Sequence, residues 1–307
     1  MNKPKIVCVV VTFNRLEKLK KALAAYDSQT ESFDTLVVVD NHSTDQTPVF
    51  LKEWEQKPSK FNKHVITLAK NMGGSGGFYE GEKYAMTLLP DWIHVADDDA
   101  YPAQDMMANF YAFVSTHSKE QLSAVCASVL YPNGKECLYH RSRHSFSRTR
   151  DFIITPVPID EYKKDFFPLT IFSYVGTFLN SESLRKVGLV IPDYFIYADD
   201  GEHSLRLQNA GLIVCAPSIQ IVHDSQTDSN DTDIIASWRT YYLIRNQINM
   251  IKRHYPLSLP RAIYEKCRKW HSFEAEQKAL YKAAIKDALL DRLGIHQLYK
   301  PGFVIKK

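Results

Sequence analysis

The sequence predicts an α/β fold in which a mostly parallel central sheet is flanked by helices, with a C-terminal helical extension. The first hundred residues alternate between short β-branched runs and helical patterns, and strands separated by such helices pair in parallel through right-handed crossovers. The chain then changes character, since residues 251–307 carry 13 Lys or Arg against 5 Asp or Glu. We therefore expect a sheet domain over residues 1–230 and a helical region over residues 231–307.

Periodicity assigns the individual elements. Short apolar, β-branched runs predict strands over residues 6–13, 35–40, 64–69, 92–96, 124–130 and 213–221. Apolar residues at helical spacing predict helices over residues 17–28, 45–56, 78–88, 103–117, 181–187, 202–210 and 234–254. Ser43 and Gln46 form a capping-box pattern at the start of the second helix. Residues 131–167 are polar, basic and irregular, and such long loops are often binding segments.

Composition places the chain among ordinary globular proteins. Its 307 residues are 45% hydrophobic and 24% charged, which excludes a disordered or fibrous protein. The five cysteines form no CxxC pair, a pattern typical of a reducing cytoplasm. The apolar run at residues 6–13 is too short to span a membrane. The basic C-terminal region is either a solvated helical face or a surface that docks on an anionic membrane.

Polar residues follow each of the first four predicted strands. The four strand ends are Thr12-Phe13-Asn14-Arg15, Asp40-Asn41-His42-Ser43, Asn71 with the glycine-rich residues 72–77, and Asp97-Asp98-Asp99. Ligands of open parallel sheets bind at the carboxyl ends of the strands. We therefore expect these four segments to converge on one binding site.

The triple aspartate is a candidate cation site. Asp97 and Asp99 point the same way on an extended segment, and a hard cation that prefers oxygen ligands would relieve their repulsion. A lone Asp-x-Asp is more often a solvated acidic turn. Asp40 can accept hydrogen bonds from a base or a ribose, although an ordinary strand-to-helix turn explains it too.

The glycine-rich residues 73–77 allow a ligand to approach the backbone closely. The segment lacks the Lys-[Ser/Thr] pair of a phosphate loop and the spacing of a dinucleotide fingerprint. These departures weigh against ATPase and dehydrogenase activity.

A second acidic cluster, Asp199, Asp200 and Glu202, stands just before or at the start of a predicted helix. Helix capping explains one or two of these carboxylates, whereas a general base for a hydroxyl group needs a carboxylate beside the reacting centre. His223 follows the last predicted strand, where it suits a third metal ligand, although a lone histidine is more often structural.

Taken in chain order, these motifs resemble the family 2 glycosyltransferases, whose nucleotide-sugar-binding domain has the GT-A fold. The resemblance covers residues 5–225. Residues 71–78 and the Asp-Asp-x-Glu pattern from Asp199 most resemble galactofuranosyltransferases, with rhamnosyltransferases as near relatives. Residues 238–246 also resemble this subgroup, whose members often follow the catalytic domain with helices that meet acceptor or membrane. Ala198 departs from the pattern, since several relatives carry Trp there.

The resemblance implies a role for each motif. The implied donor-binding residues are Thr12, Asn14, Arg15, Asp40, Asn71, Gly74, Asp97 and Asp98. The implied ligands of a divalent cation, Mn²⁺ or Mg²⁺, are Asp97, Asp99 and His223. Asp200 would be the general base, and Asp199, Glu202 and Trp238 would contact the acceptor.

The implied reaction is an inverting, metal-dependent transfer of a sugar, with galactofuranose from UDP-galactofuranose as the best match. The acceptor would be a glycan or lipid-linked glycan in bacterial cell-surface polysaccharide biosynthesis. We expect a cytoplasmic protein, with peripheral contact to the inner face of the plasma membrane or a homo-oligomer contact through residues 231–307, and no nucleic-acid partner.

Two alternatives stay open, a different donor and a non-catalytic scaffold, whereas a nucleotidyltransferase is disfavoured. The donor can be another nucleotide sugar, such as dTDP-rhamnose or UDP-galactopyranose, because the motifs identify the nucleotide and the metal better than the sugar. A nucleotidyltransferase would carry a Gly-rich, Lys- or Arg-bearing signature after the first strand, where Thr12-Phe13-Asn14-Arg15 stands. A non-catalytic scaffold of a polysaccharide assembly complex would bind the nucleotide without turnover.

Overall fold

The computed structural model describes residues 3–225, 237–268 and 270–305. Within these residues lie twelve strands and nine α-helices. The strands are β1 (Ile6–Thr12), β2 (Thr35–Asp40), β3 (Asn62–Thr67), β4 (Trp92–Asp97), β5 (Ala100–Pro102), β6 (Leu122–Leu130), β7 (Arg141–Phe146), β8 (Phe152–Pro156), β9 (Phe167–Pro168), β10 (Ile171–Phe172), β11 (Thr177–Asn180) and β12 (Leu212–His223). The helices are α1 (Leu16–Asp27), α2 (Thr47–Gln56), α3 (Gly73–Thr87), α4 (Met106–Thr116), α5 (Ser181–Val187), α6 (Asp199–Leu207), α7 (Trp238–His254), α8 (Leu259–Cys267) and α9 (Ala275–Leu289).

The central sheet is mixed but mostly parallel, as predicted. Its strands run in the order β3-β2-β1-β4-β11-β6-β12-β5, and β9 pairs with β12 outside this path. The pairs β1–β2, β2–β3, β1–β4 and β6–β12 are parallel, while β11 lies antiparallel between β4 and β6. Parallel strands place their carboxyl ends at one edge of the sheet, so the polar segments after β1, β2 and β4 meet there.

The sheet is covered on both faces, which explains why its central strands are continuous apolar runs. In β1, Cys8 and Val10 pack into one buried cluster with Leu19 of α1, whereas Val9 and Val11 pack into another with Phe78 of α3. Successive residues of a strand point to opposite faces, so this fully buried strand contributes to both cores.

Several predicted elements differ from the structure. The capping box is wrong: the Ser43 hydroxyl accepts from the Asn14 backbone nitrogen at 2.9 Å, and the first backbone nitrogen of α2, that of Thr47, donates to Asp45 Oδ1 at 2.9 Å instead. The helix predicted from residue 78 begins at Gly73, and the helix predicted from residue 202 begins at Asp199. Residues 131–167 are more regular than predicted, since β7 and β8 form a small sheet with β10.

The helices after the sheet domain form a third core. Tyr241 and Tyr242 of α7 pack with Leu280 and Ala284 of α9, and Phe195 of the sheet domain joins this cluster. The predicted domain boundary at 230/231 and the predicted helical residues 234–236 lie outside the described residues. None of the described helices is long and apolar enough to cross a membrane.

Candidate active site

Three side chains meet at the carboxyl edge of the sheet. One ligand atom from each of Asp97, Asp99 and His223 lies within 4.8 Å of the others. Strand pairing brings them together, since β5 follows Asp99 directly and runs antiparallel to the end of β12, with His223 opposite Ala100. His223 Nε2 therefore lies 3.3 Å from Asp99 Oδ1. The sequence prediction grouped these three residues, and the fold places them side by side.

The electrostatics of this cluster suit a cation. Burial and the charge of Asp99 raise the pKa of Asp97 to about 7. Burial also acts against ionisation of Asp99, but the bond from His223 and the charges of His223, Arg15 and Lys18 lower its pKa on balance. Two carboxylates and one imidazole form a donor set that fits Mn²⁺ or Mg²⁺, and the imidazole favours the transition metal.

A second histidine stands behind His223. His140 Nε2 lies 3.1 Å from His223 Nδ1, and His140 Nδ1 lies 2.7 Å from the Ser173 hydroxyl. Burial, with the charges of Arg141 and His223, lowers the pKa of His140 to about 3, so this imidazole is neutral. The next residue, Arg141, is completely buried and donates to the Ala127 and Val175 carbonyls at 2.9 and 2.6 Å, which fixes the backbone beside His140.

Asp98 faces away from the cation cluster, toward the end of β1. Its Oδ2 accepts from the Thr12 hydroxyl at 2.7 Å, and its Oδ1 accepts from Arg15 Nη1 at 3.3 Å. The same Arg15 nitrogen donates to Asp99 Oδ2 at 2.9 Å, and Lys18 Nζ reaches that oxygen at 3.4 Å. The Arg15 side chain is 53% exposed, so it stands between the acidic cluster and solvent.

Asp40 ends β2 next to Thr12, its register partner in β1. Its Oδ1 accepts from the Ser43 backbone nitrogen at 2.9 Å, whereas its Oδ2 is buried and has no hydrogen-bond partner within the described part of the chain. Asp40 is completely shielded from solvent, so a ligand reaches this oxygen only after the side chains above it move. Asn14 lies beside it, and its Oδ1 accepts from the Thr44 backbone nitrogen at 2.7 Å.

The glycine-rich segment is the first turn of a helix rather than a loop. Asn71 Oδ1 accepts from the Gly73 backbone nitrogen at 2.8 Å, and Asn41 holds the same turn by donating to the Gly73 carbonyl at 2.8 Å. A Cβ on Gly74 would meet nothing within 4 Å, so the backbone is open there. Free backbone N–H groups at the start of a helix attract phosphate oxygens.

The second acidic cluster forms the first turn of α6. Burial and the neighbouring Asp199 raise the pKa of Asp200 to about 8, and the charge of Asp97 adds to the rise. Asp200 is partly exposed, while Asp199 is 8% exposed. The charge of Asp97 thus acts on Asp200, whose pKa lies in the range that general bases require.

Glu202 and Trp238, the other predicted acceptor residues, lie in packed surroundings. Glu202 is 2% exposed; both its oxygens accept from Arg206 Nε at 3.0 and 2.9 Å, and one lies 3.1 Å from His254 Nε2. The ion pair with Arg206 and the contact with His254 give Glu202 a structural role. Trp238 is half-buried, with its ring centroid 6.0 Å from that of Phe195.

Sequence reasoning overlooked two groups near this site. His140 lies within the irregular residues 131–167, where no pattern distinguishes it. Arg245 and Asn246 were noted for resemblance alone, yet both are fully buried and bond to the backbone that precedes α6. Their spacing was the available signal, since Arg245 and Asn246 stand three and four residues after Tyr242 and so lie on the buried stripe of the helix.

A mostly parallel sheet with acidic residues clustered at its carboxyl edge defines the class of this protein as a GT-A-fold glycosyltransferase. Residues 7–188 match the model of the Glycosyl transferase family 2, which is more than half of the chain. The chain therefore belongs to glycosyl transferase family 2.

Relatives within the family are galactofuranosyltransferases. The chain is 29% identical over 219 residues to "Galactofuranosyltransferase GlfT1" of Mycolicibacterium smegmatis, covering 69% of this chain and 68% of that protein. It is 28% identical over 214 residues to the protein of the same name from Mycobacterium tuberculosis, covering 67% and 66%. The chain thus spans about two thirds of the length of the curated relatives it matches.

Solved structures share the fold. GalNAc-T7 with UDP, GalNAc and Mn²⁺ aligns with a TM-score of 0.64 at 13% identity, covering 94% of this chain and 56% of that one. S. aureus TarS 1–349 in complex with UDP-GlcNAc aligns with a TM-score of 0.63 at 16% identity, covering 93% and 80%. At these identities the structural similarity is evidence for a shared fold alone.

Proposed function

We propose that this protein is an inverting, metal-dependent transferase that moves galactofuranose from UDP-galactofuranose to a glycan acceptor of the bacterial cell surface. The name of the GlfT1 relatives supports the sugar, and the UDP and Mn²⁺ bound to the neighbours support the nucleotide and the metal. The basic helices after residue 237 are the proposed contact with a lipid-linked acceptor, a membrane surface or a second copy.

One observation carries this proposal: the charge of Asp97, in a cluster suited to bind a cation, helps to raise the pKa of Asp200, a carboxylate suited to act as a base. Asp97, Asp99 and His223 supply the cluster, and Asp200 supplies the base. A divalent cation bound there would act as a Lewis acid on the diphosphate and neutralise the charge of the leaving group. Transfer from a nucleotide sugar needs both parts within reach of one anomeric carbon.

The proposed chemical step is a single displacement. Asp200 removes the proton of the acceptor hydroxyl while the acceptor oxygen forms a bond to the anomeric carbon. The bond from that carbon to the diphosphate oxygen breaks on the opposite face, and UDP departs with the electron pair. Because the oxygen attacks opposite the leaving group, the configuration inverts, and no covalent carboxylate intermediate forms, unlike in a retaining glycosidase.

The chain's own residues would hold the two substrates. The unpartnered Asp40 Oδ2 is suited to accept from the uracil N3–H, with Thr12, Asn14, Asn71 and Gly74 close by. Arg15 and Asp98 would turn toward ribose or phosphate. Asp199 and Trp238 are the proposed acceptor contacts, and the bonded Glu202 is excluded from them.

A donor panel tests the proposal. UDP-galactofuranose, UDP-galactopyranose and dTDP-rhamnose are each incubated with Mn²⁺ and a lipid-linked acceptor extract, and the products are weighed by mass spectrometry. We expect a mass gain of one or more hexose units with UDP-galactofuranose, abolished by EDTA. Transfer from dTDP-rhamnose alone would refute the proposed donor. UDP binding without turnover of any donor would refute the enzyme and support the scaffold.

A further inference from the structure

The base-bearing helix α6 is preceded by a backbone segment in an unusual conformation. Phe195, Tyr197 and Ala198 all have positive φ, at 68°, 68° and 60°, although none of them is glycine. Phe195, with ψ at −60°, is in the rare γ-turn conformation. L residues seldom adopt such angles, and they persist only where the surroundings impose them. We call residues 193–198 the base loop, because Asp199 and Asp200 follow it directly.

Two buried polar side chains of α7 impose this conformation. Asn246 Nδ2 lies 2.9, 2.8 and 2.9 Å from the carbonyl oxygens of Tyr194, Ile196 and Tyr197. Arg245 Nη2 donates to the carbonyls of Asp193 and Tyr194 at 3.1 and 3.0 Å. Four of the six carbonyls of the base loop thus accept from these two residues, which are 1% and 0% exposed.

Arg245 also orients the amide of Asn246. Arg245 Nε donates to Asn246 Oδ1 at 2.8 Å. A guanidinium only donates, so this bond identifies the oxygen end of the amide and leaves the Nδ2 end facing the base loop. The pair therefore acts as one unit, in which the arginine sets the amide and the amide holds the carbonyls.

The other side of the base loop touches the proposed donor site. The Ser75 backbone nitrogen of α3 lies 3.3 Å from the Phe195 carbonyl oxygen. A Cβ on Gly73 would stand 2.0 Å from that oxygen, so only glycine permits the contact. The base loop is thus enclosed between the first turn of α3 and the buried face of α7, and it continues into the first turn of α6.

We propose that Arg245 and Asn246 are positioning residues, which hold the base loop in its strained conformation and so set the position of Asp200 in the first turn of α6. This inference rests on the proposed function, in which Asp200 is the base. It assigns part of the catalytic geometry to the helical region after residue 237, which would otherwise be taken as a mere acceptor or membrane contact.

The test compares two buried asparagines on the same helix. Asn246→Ala removes the amide and leaves room for water, and Asn246→Asp keeps the shape but replaces the donor. Asn249→Ala is the matched control, because the hydrogen bond of Asn249 to the base loop comes from the Tyr194 phenol and involves none of the loop carbonyls. Its amide nitrogen donates to Asp291 and the Ala288 carbonyl in the α9 region, and its oxygen also accepts from Arg253 Nε. The measurements are melting temperature, UDP affinity with Mn²⁺, kcat and KM of transfer, and hydrogen exchange of residues 194–202.

We expect both Asn246 variants to lose up to about 100-fold in kcat, the effect of a base displaced by an ångström, with KM and UDP affinity near the parent values. Exchange of the amides in residues 195–202 should accelerate. Asn249→Ala should keep the parent kcat at a similar loss of melting temperature. Equal kcat losses in the Asn246 and Asn249 variants would make the role merely structural and overturn the proposal, as would parent kcat in Asn246→Ala.

Separate experiments distinguish a wrong role for Asn246 from a wrong role for Asp200. An Asp200→Asn variant with parent activity would remove the proposed base, whatever Asn246 does. If the protein shows no transfer activity, hydrogen exchange still tests the positioning role. Exchange of the base loop that is unchanged in Asn246→Ala would then overturn the positioning role, and exchange accelerated there but not in Asn249→Ala would support it.

Discussion

The imidazole rings of His140 and His223 are in contact, edge to face, with His140 Nε2 3.1 Å from His223 Nδ1. Since His140 is neutral, one of its nitrogens carries the proton. If His223 presents Nε2 to a cation, its Nδ1 carries a proton and donates to His140 Nε2, and His140 Nδ1–H then donates to Ser173. This series of hydrogen bonds sets the tautomer of His223 for metal binding, in the way that hydrogen-bond partners of metal-bound histidines do.

Replacing His140 should therefore weaken metal binding. We expect His140→Ala to raise the dissociation constant for Mn²⁺ by about 10- to 100-fold, the usual effect of losing such a partner. Titration calorimetry with MnCl₂ on the protein without donor measures it. His144→Ala is the matched control, because His144 lies on the same segment but bonds to the Tyr255 hydroxyl. Equal Mn²⁺ affinity in both variants would contradict the proposed chain of hydrogen bonds.

Neutralising Asp200 should remove transfer and spare donor binding. Asp200→Asn keeps the shape but cannot take a proton, so we expect kcat to fall by about 100- to 10,000-fold, the usual contribution of a general base. UDP affinity should stay near the parent value. Asp193→Asn is the control for the same chemical change, since Asp193 is exposed on the base loop. Parent kcat in Asp200→Asn would show that another group takes the proton.

The raised pKa values at the site predict how stability depends on pH. Burial and neighbouring charge raise the pKa of Asp97 to about 7 and that of Asp200 to about 8, from an ordinary 3.8. The folded protein thus holds protons that the unfolded chain releases, so these groups destabilise the metal-free fold as pH rises from about 4 to about 8. A bound cation favours the ionised carboxylates and should oppose this loss of stability.

Thermal unfolding with Mn²⁺ and with EDTA, at pH 5 and at pH 8, measures the effect. The buried His94, His140 and His203, whose pKa values are lowered to about 3, act in the opposite direction. The parent should therefore lose melting temperature in EDTA between pH 5 and pH 8 relative to Asp200→Asn, which lacks one of the raised carboxyls, and the increase caused by Mn²⁺ should be larger at pH 8. Asp99→Asn should lose most of the Mn²⁺ effect, because it removes a proposed ligand. A Mn²⁺ increase of the same size at both pH values would contradict coupling between these protons and the metal.

Local patterns predicted most of the sheet, because its central strands are buried on both faces. The strand over residues 35–40 and the helix over residues 181–187 match the structure at both ends. The helix starts at Gly73 and Asp199 were missed, since Gly and Asp have low intrinsic helix propensity, although acidic residues are favourable in a first turn. The small sheet of β7, β8 and β10 depends on pairing with distant residues, which no local pattern contains.

The proximity of Asp97, Asp99 and His223 could be expected from the sequence, because strand ends of a parallel sheet converge by topology. The contacts of Asp97, Asp99 and His223 follow from this rule. The contact of Glu202 with His254 could not be foreseen, because His254 stands 52 residues away on α7, whereas the ion pair with Arg206 is a local i,i+4 contact. The contacts of His140 and of Asn246 likewise join segments that lie far apart in the chain, so the sequence does not indicate them and only the fold does.

Gly73 and Gly74 are adjacent, yet alanine should affect them in opposite ways. Gly73 has φ at 72°, and a Cβ there would stand 2.0 Å from the Phe195 carbonyl oxygen. Gly73→Ala should therefore displace the base loop, lower the melting temperature and reduce kcat. Gly74 lies in the first turn of α3 with nothing within 4 Å of an added Cβ, so Gly74→Ala should leave the fold as stable or raise its stability by about 0.5–1 kcal/mol.

The proposed donor site gives the Gly74→Ala variant a second use, as a test of where UDP binds. If the diphosphate lies over the first turn of α3, the added methyl of Gly74→Ala occupies its place, and UDP affinity should fall although the melting temperature does not. Calorimetric titration of UDP with Mn²⁺ present, alongside thermal unfolding of both variants, separates the two effects. Parent UDP affinity in Gly74→Ala would place the nucleotide away from α3, and a parent melting temperature in Gly73→Ala would show that the base loop tolerates the displacement.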